Sequence, residues 1–202
     1  MIMAAVGLGA CTFARTEPPP GDLTAFDAFQ AIPKIGEFAG PGARLLKVEA
    51  RHVRATGTQD LTAKYVGTSE RAVGYSFLLP TNAKVDESAP VGARREVRSF
   101  EQVDVDVYQP HWRTIRSSDG KGCSSQKHEG MMRSVSSWSE AQPENVARQP
   151  ACSLARLWKA ARQHGAPGNA VATITYDRAG YTFRIPGTKV DLRFGHDCKR
   201  AP

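Results

Sequence analysis

Between Glu96 and Val107 the chain alternates. Val97, Val103, Val105 and Val107 fall in one phase, and Asp104 and Asp106 fall in the other. A period of two puts the valines on one face of a strand and the carboxylates on the opposite face. Such a strand belongs to a sheet with one packed and one solvated face, which is common in antiparallel sheets. It also requires a second layer to cover the valines. Other segments share the pattern. In 44–54, Leu46, Val48 and Ala50 alternate with Lys47, Glu49 and Arg51, and in 71–79 Val73, Tyr75 and Phe77 recur at period two. Segments 58–66 and 131–138 read as further strands. Pro110 is expected to end the valine strand, because it lacks the N–H a ladder needs. Residues 111–116 form another strand in this reading, and 118–122 (Ser-Asp-Gly-Lys-Gly) a hairpin turn.

A helical period appears twice. Leu23, Phe26, Phe29 and Ile32 share one helical face, and that helix is expected to weaken at Pro33 and Gly36 and to stop at Gly40-Pro41-Gly42. Ser153 is a fitting N-cap for a second helix whose apolar face is Leu154, Leu157, Trp158 and Ala161. Gly165-Ala166-Pro167-Gly168 ends it. Segments 170–176, 180–185 and 190–194 then read as three strands, the first two joined across Asp177-Arg178-Ala179-Gly180. The expected class is α+β, with two α-β-β-β modules around a β-rich middle; their likeness suggests duplication, and the alternative is coincidence, because helix-stop-strand is a common order. The modules span 23–92 and 151–202, the middle spans 93–150, and Pro-containing linkers occupy 80–92 and 139–151.

The first eleven residues have a different character. Met1 to Ala10 are uncharged and apolar, with small residues toward the end, like a signal-peptide core and its cleavage site. Leu8-Gly9-Ala10-Cys11 resembles the lipobox of bacterial lipoproteins, although no Lys or Arg precedes the apolar run. The resemblance implies that residues 1–10 are removed and that Cys11 carries the lipid. Residues 11–22, with Pro18-Pro19-Pro20-Gly21, then read as a tether. Thr12 is not the Asp that commonly retains such lipoproteins at the inner membrane, so the family pattern implies an outer-membrane anchor. The stretch from Cys152 to Cys198 also resembles uncharacterised secreted lipoproteins, a likeness that implies no activity. No run approaches the ~20 apolar residues of a spanning helix.

In an oxidising compartment, two of Cys123, Cys152 and Cys198 are expected to pair. Cys152 precedes the last helix and Cys198 follows the last strand, so a bridge between them closes one module. Such a crosslink contributes on the order of 3–4 kcal/mol in the chain-entropy picture. Structural zinc is not expected, because no CxxC accompanies His128 or His196.

The chain has 202 residues, of which 27 are basic and 20 acidic, for a net charge of +7. Its basic residues are dispersed, and no groove-reading or base-stacking motif accompanies them, so nucleic acid is not an expected partner. Asp104, Asp106 and His111 do not read as a metal site, and His196-Asp197-Cys198 does not read as a nucleophilic triad. No GxSxG elbow and no phosphate-binding glycine loop occurs. No catalytic residue, cofactor or metal is therefore assigned. Trp112 and Trp138 lie in the polar middle, where an aromatic ring can serve as a stacking platform. The expected function is an exported envelope lipoprotein, held to the membrane through Cys11, that binds an envelope protein or an anionic surface polymer. A secreted hydrolase or modifying enzyme with a site built from dispersed residues is the alternative. A purely structural envelope component is the third reading.

Overall fold

The structure is a computed structural model that describes residues 16–63, 71–80, 84–85, 96–97, 100–113, 126–139 and 143–201. Its main sheet is antiparallel and has eight strands. In chain order these are β1 (Thr16–Glu17), β2 (Arg44–Val53), β3 (Arg71–Pro80), β6 (Phe100–Arg113), β7 (Gln126–Ser139), β8 (Ala172–Asp177), β9 (Gly180–Arg184) and β10 (Asp191–Phe194). Across the sheet they run β1-β7-β6-β3-β2-β8-β9-β10. Two short strands, β4 (Lys84–Val85) and β5 (Glu96–Val97), pair separately. Strands from both expected modules and from the middle segment thus share one sheet. The C-terminal module supplies a helix and three strands of this sheet, whereas the described part of the expected N-terminal module supplies a helix and two of its strands, β2 and β3.

Register explains which residues are buried. Val105, Tyr75, Val48, Tyr176, Tyr181 and Phe194 form one cross-strand row. Val107, Val73, Ala50, Ile174, Phe183 and Leu192 form the next, and both rows are buried. Both helices cover this face. Helix α1 (Ile32–Ala39) buries Ile32, Ile35 and Ala39, and Gly36 lies over the Phe77 ring. Helix α2 (Leu154–Arg162) buries Leu154, Leu157, Trp158 and Ala161. Trp158 packs edge-on against Phe183 at 4.9 Å between centroids, and its indole N–H donates to the Val53 carbonyl at 3.2 Å. The Tyr75 hydroxyl likewise donates to the Ala28 carbonyl at 2.8 Å. Burying side chains of this size contributes about 1.5–3 kcal/mol each, and the donated bonds remove the cost of burying their polar tips.

Several expectations need correction. The first helix begins at Ile32, not near Leu23 where the apolar pattern starts, and it ends at Ala39, at the expected Gly40-Pro41-Gly42 stop. Asp27 is the reason: its Oδ1 accepts from Phe29 N at 2.9 Å and Gln30 N at 3.1 Å, so the preceding residues turn instead of coiling. Pro33 then falls in the first turn of α1, where its missing N–H costs nothing. Segment 58–66 is not a strand over its described part. Gln59 makes a single bridge to Phe26, and Asp60 Oδ1 accepts from Thr62 N at 2.9 Å to turn the chain. Val97 lies in β5, which pairs with β4, and Val103 lies in β6 of the main sheet. Pro110 does not end that strand, because β6 runs on to Arg113 through a register shift between Tyr108 and His111. A bulge of this kind is where a sheet tolerates proline.

Within the expected tether, Thr16 and Glu17 pair with Met132 and Met131 of β7. Gly130 permits this approach, since a side chain there would run into the Glu17 carbonyl. Its φ of 78° also suits glycine. The expected hairpin turn at 118–122 lies outside the described residues.

Candidate functional site on the uncovered sheet face

Among the described residues neither helix covers the second face of the sheet, and most of the residues on it are polar, in alternation with the core residues. Asp106, Gly74, Glu49, Thr175, Thr182 and Arg193 form one row, and Asp104, Ser76, Lys47 and Asp177 lie along the next. Charges in the first row are closely paired. Arg51 holds Glu49 through Nη2 at 2.7 Å, and Arg71 reaches both Glu49 at 3.7 Å and Asp106 at 3.1 Å. Arg71 lies across Gly74, where a Cβ would sit 2.9 Å from the guanidinium carbon and displace the side chain.

The two carboxyls respond in opposite directions. Burial opposes ionisation of Glu49, but the hydrogen bond and charge of Arg51, with Arg71 and Lys47 behind it, outweigh burial and hold the carboxyl below its usual range. Burial dominates at Asp106, and nearby Asp104 adds to it, so its carboxyl sits above the usual range despite Arg71 and the Tyr108 hydroxyl.

Next to this cluster is a cavity of about 510 Å³, lined by Leu46, Lys47, Ser76, Leu78, Gln102, Asn145, Asp177, Arg178 and Ala179. A β-bulge creates it. Leu45 pairs with Phe77 and Lys47 with Ser76, leaving Leu46 as the extra residue of β2. The expected phase of this strand, with Leu46 in the core, is corrected accordingly: Leu45, Val48, Ala50 and Val53 are buried. Extra residues at bulges commonly re-aim side chains in this way. Leu78 faces away from the main core yet is only 1% exposed, so it forms an apolar floor beneath polar walls. The β8–β9 turn supplies Arg178 and Ala179. A three-residue 3₁₀ turn, Pro143–Asn145, supplies Asn145, and Arg178 Nη1 ties the two turns together by donating to the Glu144 carbonyl at 2.6 Å.

The structure brings together Cys152 and Cys198 as a disulfide with Cα atoms 5.8 Å apart. Cys11 and Cys123 lie outside the described residues. Trp112 and Trp138 are far from each other on the β6–β7 hairpin. Trp112 pairs with Lys127 toward its tip and Trp138 with Glu101 toward its base. The positions of Glu101 and Trp112 on β6 imply a separation of roughly 35 Å at the usual strand rise, too far for one shared binding site. Sequence reasoning missed the bulge cavity. Lys47, Ser76 and Asp177 become neighbours only through strand pairing, and no local motif announces them. Among the described residues, no group of three or more His, Cys, Asp and Glu is placed to hold a metal ion, and no helix is long and apolar enough to cross a membrane. Comparison of the chain with protein-family models, with curated proteins and with solved structures finds no match.

Proposed function

We propose that this chain is an exported envelope protein, lipid-anchored at Cys11, that binds an anionic polymer of the cell surface with the uncovered face of its sheet. The observation that carries the reading is the one-sided sheet. Both helices lie on one face, and the other presents charged and polar side chains around a cavity. A structural scaffold has no need of such a cavity. Two further features support export. Cys152 and Cys198 are joined by a disulfide of the kind that persists in oxidising compartments, and Leu8-Gly9-Ala10-Cys11 has the order of a lipobox. The net charge of +7 favours a polyanion over a neutral polymer.

Two measurements test the reading separately. In a bacterial host, wild type is expected to incorporate a fatty-acid analogue and Cys11→Ser is not. Equal labelling of the two defeats the anchor. The unanchored Cys11→Ser protein is then passed over immobilised polygalacturonate and over immobilised neutral dextran. Retention on the polyanion alone, weakening between low and physiological salt as dispersed charges require, supports the binding role. Passage through both columns without delay defeats it.

A further inference from the structure

We propose that the exposed side of α2 docks on anionic lipid headgroups, holding the helix layer against a membrane and turning the uncovered sheet face outward. The assignment shares only the anchor with the polymer reading above. Charge around this helix has one sign. Between Glu144 and Asp177 the chain carries Arg148, Arg156, Lys159 and Arg162 and no acidic residue. The inner side of α2 is taken up by Leu154, Leu157, Trp158 and Ala161, and Arg156, Lys159 and Arg162 are exposed. They recur at every third residue, so each lies ~4.5 Å further along the axis and the three form a slanting stripe. Arg200 extends the stripe beyond the helix, where its Nη1 donates to His164 Nδ1 at 3.4 Å.

Two observations separate this stripe from ordinary solvated charge. On the sheet face cations are matched with carboxylates, Arg51 with Glu49 and Arg71 with both Glu49 and Asp106. Among the described residues Arg156, Lys159 and Arg162 form no ion pair. The second observation is where Arg156 stands. It is the third residue of α2, and its backbone N–H is bound by the Ser153 side chain at 3.2 Å. A cation there opposes the positive end of the helix dipole, and a Glu would complete the capping box that Ser153 begins. Lys159 and Arg162, in the last turn, suit the dipole, so Arg156 is the discriminating residue. Helix stability does not account for it, whereas one anionic partner shared by all three cations does.

The shape of the stripe selects the partner. Beside the cations the outer side of α2 offers only small apolar residues, Ala155 and Ala160, so nothing on it inserts into hydrocarbon. Separated charges on a convex helix are matched by a plane of phosphates. Helix α1 lies on the same face of the sheet and exposes Lys34 and Glu37, whose charges cancel, so it neither adds to the attraction nor opposes it. A lipid on Cys11 would keep the bilayer within about 17 Å of Thr16. Each basic residue near an anionic leaflet typically strengthens binding about fivefold.

The test uses the unanchored Cys11→Ser protein and co-sedimentation with vesicles. Vesicles of phosphatidylglycerol and phosphatidylcholine in equal parts are compared with phosphatidylcholine alone, which registers any contribution of the apolar residues 1–10. Binding to the anionic vesicles is expected to exceed binding to the neutral ones and to fall away from low to physiological salt. Arg156→Gln should weaken it about fivefold, and the triple change Arg156→Gln, Lys159→Gln, Arg162→Gln about a hundredfold. Arg156→Lys should keep it. Arg156→Glu separates binding from folding: it should bind less well than Arg156→Gln yet melt no lower than its parent. Equal binding to both vesicles, binding that resists salt, or full binding by the triple variant overturns the proposal. So does an Arg156→Glu protein that melts lower and binds as before, which gives Arg156 a structural role. Loss of the triple variant's retention on polygalacturonate makes α2 a polymer site and overturns the membrane assignment, whereas unchanged retention supports separate partners for the two faces. If vesicle binding follows the stripe but the wild type takes up no fatty-acid label, the anchor fails and the stripe stands.

Discussion

The C-terminal region, from Cys152 to Ala201, and the long β6–β7 hairpin are built from the same antiparallel pairing yet secured in different ways. In the C-terminal region, strands of four to six residues are joined by short connections, and α2 seals them from above. Tyr176, Tyr181, Phe183 and Trp158 are all fully or almost fully buried there, and the disulfide closes the ends. The hairpin strands are 14 residues each. Their described core contribution is a short run, Val103, Val105, Val107 and Met131, and Val135 is 45% exposed. Short strands that pack against a local helix obtain burial, register and closure from neighbours in sequence. A long hairpin obtains its pairing locally, but its burial must come from elsewhere in the chain.

That contrast can be broken by mutation. Trp158→Ala should have the largest effect, about 3–5 kcal/mol of stability, because it empties a large buried site and strips the Val53 carbonyl of its donor. Chemical denaturation measures it, and a loss under 1 kcal/mol would mean that α2 is not the lid described. Replacing both Cys152 and Cys198 by Ala should cost about 3–4 kcal/mol. Hydrogen exchange should then accelerate first in β8 to β10, and acceleration confined to β6 and β7 would reverse the comparison. A smaller effect, about 1 kcal/mol, is expected for Ser153→Ala, since the Ser153 side chain accepts from Arg156 N at 3.2 Å at the start of α2. Thermal unfolding reads that loss.

The smallest effect lies on the uncovered face. The Glu49 carboxyl titrates below its usual range in the folded protein, so its stabilising contribution is present above the ordinary glutamate range and is lost as pH falls through the folded value. Asp106 has the opposite sign: its raised value means that ionisation at higher pH costs stability. Glu49→Gln should therefore flatten the acid side of the stability profile relative to wild type, and an unchanged slope would remove Glu49 from the account.

The contrast also explains what could be read in advance. Ser153, the Leu154–Ala161 face, the Gly-Pro stop and the Asp177–Gly180 turn are local signals, and the elements they announce stand where the sequence places them. Errors arose where one residue type admits two roles. Pro33 reads as a breaker but suits a first turn, and Pro110 reads as a terminus but is accommodated beside a bulge. Leu46 looks like a core residue until the bulge places it against the cavity. Lys47, Ser76 and Arg178 carry no joint signal at all, because only long-range pairing assembles them.

The pairing of Thr16 and Glu17 with β7 bears on mobility at a membrane. If Cys11 is the lipid-bearing residue, the chain between it and Thr16 can span no more than about 17 Å even when fully extended. The Pro-rich segment that resembles a leash comes after the docked strand, so its length adds nothing to the reach. The body would then ride on the bilayer like a moored hull, free to rock about one edge of its sheet but unable to drift outward to distant targets. Whatever a body so moored binds would have to come to the membrane surface.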